Sequence, residues 1–117
     1  MKKFTLVFSL AIFLISTAEK CGSDVNPAGC FANSPLENIS WAKDELTFWQ
    51  RPKSGPLQVT IFSYKNEEFL AFQNAFDSGP SSHIFDCSGI TLAKRGINYN
   101  EFFNNNKAVK ILLQRTY

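Results

Sequence analysis

The residues best suited to chemistry lie close together at positions 81–87. His83, the single histidine of the chain, follows Ser81 and Ser82 and precedes Asp86. A histidine with a serine and an aspartate could act as the base of a serine hydrolase. If this segment is a strand, Ser82 and Asp86 point to the face opposite His83, because side chains alternate along a strand. We therefore expect no local triad, and a hydrolase that uses His83 is the least favoured function.

Metal binding and carboxylate catalysis have little support in the sequence. One histidine and three widely separated cysteines do not form a zinc-binding pattern. The adjacent carboxylates Asp44 and Glu45 diverge on a helix, and Glu67 and Glu68 diverge on a strand, so neither pair forms an acid and base for catalysis. We therefore expect a protein that is not an enzyme, with no catalytic residue, metal site or cofactor.

The first eighteen residues have the three-part pattern of a secretory signal. Lys2 and Lys3 precede an apolar run at positions 4–15, and small residues then lead to a cleavage site after Ala18. The apolar run is too short to span a membrane as a helix. We therefore predict a signal peptide at 1–18 and an exported protein, located in the periplasm, in the cell envelope or outside the cell.

The three cysteines leave one thiol over after a single disulfide forms. Either Cys21 is lipidated and Cys30–Cys87 is the bridge, or cleavage after Ala18 leaves one thiol free or paired between chains. A Cys30–Cys87 bridge would close a long loop and stabilise the fold by about 4 kcal/mol, more than a Cys21–Cys30 bridge. We favour Cys30–Cys87. Cys21 is the candidate lipidation site and the single predicted link to a membrane.

Charge and composition exclude one class of partner. The chain has twelve Lys and Arg and ten Asp and Glu, for a net charge of +2, and Lys2 and Lys3 lie in the leader. The remaining chain has equal numbers of acidic and basic residues and has no basic stripe, so we expect no nucleic-acid binding.

With 44% hydrophobic residues the chain is of globular composition. We divide it into the signal peptide, a flexible linker at 19–33 and a single domain at 34–117.

The order of the predicted elements defines the fold class. Ser34 and Glu37 resemble a capping box around Pro35, which predicts a helix that ends at Pro52, although Ser40 could cap a shorter one. Period-two and turn patterns then predict strands at 57–62, 68–73, 81–87, 90–93 and 109–113, a hairpin turn at 65–67, a loop at 74–80 and a short helix from 98. The class is α+β: one long N-terminal helix packed on a four- to five-stranded, mainly antiparallel sheet, with a short second helix before the last strand.

Aromatic residues make up 15% of the chain and offer a candidate binding patch. Trp41 and Phe48 lie on the predicted helix, and Phe62 and Tyr64 share one face of the first strand. If these rings are uncovered, they could stack on sugars or receive a protein partner. The alternative is a phenylalanine-rich core.

Four segments together resemble a family of small, uncharacterised exported proteins of Bacteroidetes-type bacteria, many of them predicted lipoproteins. The segments begin at Pro35-Leu36-Glu37, Phe62-Ser63-Tyr64, Ile84-Phe85-Asp86 and Asn100-Glu101-Phe102. The resemblance implies a small α+β domain in the envelope and no activity. The chain departs from the family at Glu19-Lys20, where a lipoprotein signal has small neutral residues.

We therefore expect a non-catalytic exported or cell-envelope module that binds a protein or a small ligand. This expectation rests on the leader, the small size and the absence of a convincing catalytic set. The alternative is a small inhibitor of a secreted hydrolase, which would present the loop at 74–80 or the hairpin tip to the enzyme.

Overall fold

The computed structural model describes residues 29–117. The predicted signal peptide, Cys21 and most of the predicted linker lie outside these residues. In the described part, four strands form one antiparallel sheet in the order β3-β2-β1-β4, with helices on both faces. The elements are, in chain order, α1 (Pro35–Asn38), α2 (Ser40–Trp49), β1 (Pro56–Tyr64), β2 (Glu67–Asn74), a 3-10 helix (Pro80–Ser82), β3 (Ile84–Phe85), α3 (Leu92–Arg95), α4 (Tyr99–Asn105) and β4 (Lys107–Thr116).

The α+β class, the antiparallel sheet and the hairpin turn are as predicted. Lys65 and Asn66 join β1 to β2 with φ values of 48° and 66°. Two consecutive residues of positive φ match the twist of a tight hairpin. Asn98 also caps α4 as predicted, because its side chain accepts a hydrogen bond from the backbone N–H of Glu101.

The single long N-terminal helix is absent from the described residues and is replaced by α1 and α2. Ile39 has extended backbone (φ −107°, ψ 118°) and separates the two helices. It is partly buried against the core, so its packing breaks the helical path. Ser34 has φ 46° and makes no side-chain capping bond, which removes the predicted capping box.

The predicted third and fourth strands are also corrected. The third is reduced to β3, which begins at Ile84. The fourth, predicted at 90–93, is helix α3 preceded by a single bridge between Phe85 and Thr91. The Thr91 side chain accepts a hydrogen bond from the backbone N–H of Lys94, and Gly96 ends the helix with φ 71°. These two caps stabilise a helical turn more than the short alternating pattern stabilises a strand.

The two faces of the sheet bury different residues of the same strands. The α2 face carries Leu57, Val59 and Ile61 of β1, which pack with Ala42 and Trp49. On the opposite side, the α4 face carries Tyr64 together with residues of β2 and β3, covered by α3 and α4. Its buried cluster consists of Tyr64, Phe69, Ala71, Ile84, Leu92 and Phe102.

The domain begins earlier than the predicted boundary at residue 34. Phe31 is 1% exposed and belongs to the core of the α2 face. Its ring packs edge-to-face on Trp41 with 6.1 Å between centroids. Residues 29–33, assigned to the linker by composition, are therefore part of the folded unit. Within residues 29–117, no helix has both the length and the hydropathy needed to cross a membrane.

Candidate binding groove

The four predicted patch aromatics do not form one surface. Trp41 is half-buried on the α2 face, where its ring lies 5.0 Å from that of Phe85, and Phe48 is 41% exposed on α2. Phe62 and Tyr64 lie on the opposite side of the sheet, and Tyr64 is 4% exposed. The sequence identifies the face that Phe62 and Tyr64 share. It does not show that α2 packs against the other face of β1.

His83 is paired with Glu45 of α2. Its Nδ1 lies 2.5 Å from the Glu45 Oε2 atom, which also accepts a hydrogen bond of 2.9 Å from the Trp49 indole N–H. The ring stacks on Phe48 with 6.0 Å between centroids. Within residues 29–117, Ser82 and the other polar neighbours of the predicted segment are not hydrogen-bond partners of the His83 side chain. The pair joins α2 to the segment before β3.

Sequence reasoning missed Glu45 because its partner lies far away along the chain. The separation of Glu45 and His83 is 38 residues, and Asp44 beside it has the same carboxylate chemistry. The available signal was local: Trp49 follows Glu45 by four residues, a spacing at which helical side chains meet. This spacing distinguishes Glu45 from Asp44, which is exposed.

The predicted Cys30–Cys87 disulfide is present and fixes the start of the domain. The two Cα atoms are 5.9 Å apart, and both residues are exposed. The backbone N–H of Phe31 donates a hydrogen bond to Glu68 Oε1 of β2 at 3.2 Å. The bridge and this bond together hold residues 29–33 against the sheet. Cys21, the candidate lipidation site, lies outside the described residues.

The hydrogen bonds of Asp86 stabilise a turn. Its Oδ1 accepts hydrogen bonds from the backbone N–H groups of Ser88 and Ile90, each of 2.9 Å. Arg95 lies 3.3 Å from Asp86 and forms a bidentate pair with Glu67 at 2.7 and 3.0 Å. Hydrogen bonding to Arg95 holds the pKa of Glu67 below its ordinary value. These contacts join α3 to the hairpin.

A second polar cluster fixes α4 on the sheet. The Tyr64 hydroxyl donates a hydrogen bond of 2.5 Å to Glu101, and the Lys65 ammonium lies 3.5 Å from the same carboxylate oxygen. The hydrogen bond from Tyr64, with a contribution from the charge of Lys65, lowers the pKa of Glu101. The same hydrogen bond raises the pKa of Tyr64. This cluster lies at the aromatic end of the α4 face.

The other end of the α4 face is open and forms a groove of about 640 Å³. Its walls include Gln58 of β1, Gln73 of β2 and Gln114 of β4, with Tyr99 of α4 beside them. Helix α4 covers the end of this face where Phe102 packs against the aromatic residues of β1 and β2, and it leaves the glutamine end open. We refer to this feature as the glutamine groove. Its volume is within the range of about 300–1,000 Å³ that is typical of ligand sites.

A hydrogen-bonded loop at 74–80 forms one rim of the glutamine groove. Asn74 accepts a hydrogen bond from the backbone N–H of Phe76 and donates one to the Ser54 carbonyl, at 2.7 and 2.8 Å. Asp77 accepts one from the backbone N–H of Gly79 at 2.9 Å. These bonds fix the loop, which presents Phe76 with 77% of its surface exposed. The sequence predicted that an inhibitor would present this loop to an enzyme, but it did not single out Phe76.

The Phe76 ring lies against the backbone of Gly55. A side chain at position 55 would place its Cβ 2.7 Å from the ring, and Gly55 has φ 96°. Both constraints favour glycine. One side of the Phe76 ring therefore contacts Gly55, and the other side faces solvent.

Comparison with known proteins gives no match. No protein-family model matches the chain, and no curated protein or solved structure matches it either. Function is therefore inferred from the chain's own sequence and from residues 29–117.

Proposed function

We propose that this protein is a non-catalytic exported module that binds a protein or a small ligand at the end of the sheet formed by the glutamine groove and the loop at 74–80. The observation that carries the proposal is the position of Phe76. Its exposed ring lies on a hydrogen-bonded loop, and the neighbouring loop residues Ala75 and Asp77 line a groove of about 640 Å³. Rigid aromatic side chains beside a concave surface are typical of binding sites, because little conformational entropy is lost when they are covered.

Export is supported by two independent features. The leader at 1–18 has the pattern of a secretory signal. The Cys30–Cys87 disulfide is of the kind that persists in oxidising compartments.

The contacts of His83 support a non-catalytic role. The imidazole is one partner of a contact between elements, with Nδ1 on Glu45 and its ring between Phe48 and Trp49. The glutamine groove lies on the opposite face of the sheet from Trp49, so His83 is not one of its lining residues. Chemistry at His83 would therefore need a second site, separate from the groove.

Inhibition of a secreted hydrolase is the second candidate function, and Phe76 favours it. The backbone N–H of Asp77 donates a hydrogen bond of 3.0 Å to the Asn74 carbonyl, which closes a turn around Phe76. A closed turn cannot lie extended along a protease cleft as a substrate does. In this role, the Phe76 side chain would occupy an apolar pocket of the enzyme and block it.

Calorimetric titration of the oxidised protein with glycans and with secreted hydrolases tests the proposal. The informative variant is Phe76→Ala, and the matched control is Phe48→Ala, which removes a ring that is 41% exposed on α2, on the opposite side of the sheet from the groove. We expect Phe76→Ala to weaken binding of a protein partner about tenfold or more. Phe48→Ala should leave it unchanged.

Enzyme activity separates the two candidate functions. An inhibitor lowers the activity of the hydrolase that it binds, and Phe76→Ala restores that activity. A binding module leaves the activity intact. Binding that survives both Phe76→Ala and substitutions in the groove would contradict the proposed surface.

A further inference from the structure

Three of the four glutamines in the chain line one groove. Gln58 is paired with Gln73 on one side and with Gln114 on the other in the register of the sheet. Directly paired side chains on one face lie about 5 Å apart. The three amides therefore form a continuous strip across β2, β1 and β4.

Two of these amides are held in place by hydrogen bonds along the strip. The Gln114 amide donates to Gln58 Oε1, and the Gln58 amide donates to the Thr60 hydroxyl, each at 3.1 Å. Each glutamine amide has two N–H donors and an oxygen that can accept twice. Within residues 29–117, the Gln73 amide has no hydrogen-bond partner. The strip thus retains uncharged donors and acceptors for a ligand.

The remaining walls supply an aromatic ring and few charges. Tyr99 is half-buried at the groove, with its ring supported by Phe103 at 5.9 Å between centroids. Asp77 brings a carboxylate to the lining. Arg115 also borders the groove, but it is paired with Leu57 and therefore directs its side chain to the α2 face. The lining is thus mainly uncharged.

We propose that the glutamine groove binds a neutral saccharide. Sugar hydroxyls both donate and accept hydrogen bonds, as the amide strip does, and the C–H face of a sugar ring packs on an aromatic side chain such as Tyr99. A saccharide also matches the mainly uncharged lining. This inference rests on the proposed function and names the ligand class of the same site.

Calorimetry with short linear oligosaccharides of glucose, mannose, xylose and N-acetylglucosamine tests the inference on the oxidised protein. Gln73→Ala removes the amide that has no partner among the described residues. Gln50→Ala is the matched control, because Gln50 lies at the end of α2 and bonds to the Tyr117 hydroxyl. Tyr99→Ala removes the aromatic face, and thermal melting verifies that each variant is folded.

We expect at least one oligosaccharide to bind the wild type and Gln50→Ala with equal affinity. Gln73→Ala and Tyr99→Ala should each bind it about tenfold more weakly. Failure of every oligosaccharide to bind, or equal affinity for Gln73→Ala, overturns the inference, as does binding of a neutral peptide in place of a sugar. If no oligosaccharide binds but a protein partner binds in a way that depends on Phe76, the proposed function still stands. If no partner binding depends on Phe76 either, both the proposed function and this inference are overturned.

Discussion

The two faces of the sheet are built from alternate residues of the same strands, yet they are covered to different extents. Leu57, Val59 and Ile61 direct apolar side chains to the α2 face. Residues 29–33, α1 and α2 cover them. On the other face, β1 carries a polar side chain, Gln58, at one end and an aromatic side chain, Tyr64, at the other. Helix α4 covers the aromatic end and leaves the glutamine end open.

This difference agrees with the proposal that stability and binding depend on different regions of the chain. Contacts distant in sequence meet on the α2 face and around it, including the disulfide and the Glu45–His83 pair. The open end of the α4 face has neutral amides that add little to the core. We therefore expect substitutions in the covered regions to lower the free energy of unfolding, and substitutions in the groove to change binding alone.

The largest expected effect is at the covered end of the α4 face. Phe102 is fully buried against Phe62, Tyr64 and Phe69. Phe102→Ala should lower the free energy of unfolding by about 3–5 kcal/mol, because it removes a large apolar side chain and leaves a cavity. Urea unfolding measures this value. Phe103→Ala, one residue along the same helix, should change it by less than about 0.5 kcal/mol, and equal effects would contradict the assignment of α4's buried side.

The disulfide gives the next largest effect. Replacing Cys30 and Cys87 together with serine should lower the free energy of unfolding by about 2–4 kcal/mol, since the bridge restricts the unfolded chain over a sequence separation of 57 residues. Denaturant unfolding with and without reductant measures it. Reductant should destabilise the wild type and leave the double variant unchanged. A wild type that is insensitive to reductant would contradict a stabilising role for the bridge.

The Glu45–His83 pair should contribute less. Glu45→Ala leaves the Trp49 N–H and the His83 ring without their shared acceptor, which should cost about 1–3 kcal/mol. Asp44→Ala is the control, because Asp44 is an exposed carboxylate on the same helix. Thermal or urea unfolding compares the two. If both variants are as stable as the wild type, Glu45 does not anchor α2 to the segment before β3.

The smallest expected effect is a change in pH dependence at the Tyr64–Glu101 cluster. The pKa of Glu101 is lowered in the folded state, so its contribution is present above its ordinary pKa and is lost as the pH falls below that value. The pKa of Tyr64 is raised, so its contribution is lost as the pH rises above the ordinary tyrosine value. Glu101→Gln should weaken the fall in stability at both extremes, as measured by urea unfolding over a pH series. An unchanged pH profile would contradict these assignments.

Local patterns predicted much of the fold, and long-range contacts explain the rest. The Lys65-Asn66 turn and the Asn98 cap depend on neighbouring residues, and both were predictable. The break at Ile39 depends on tertiary packing, which periodicity does not contain. Thr91 was assigned to a strand, although its capping bond favours a helix.

The candidate site was less predictable than the fold. The loop at 74–80 was identified from its turn residues, but the groove beside it depends on strand order. Gln58 and Gln114 are far apart in sequence and become neighbours because β4 pairs with β1. The predicted aromatic patch is wrong for a similar reason. Two of its rings lie on α2, and the sequence does not show which face of the sheet α2 packs against.

The most direct test of the central claim is to map a bound oligosaccharide by ¹H–¹⁵N NMR. The side-chain amides of Gln58, Gln73 and Gln114 report on the groove, whereas the indole N–H groups of Trp41 and Trp49 report on the α2 face. We predict shifts of the three groove amides and no shift of the indoles. Shifts confined to the indoles would contradict the claim that the open end of the α4 face is the binding surface.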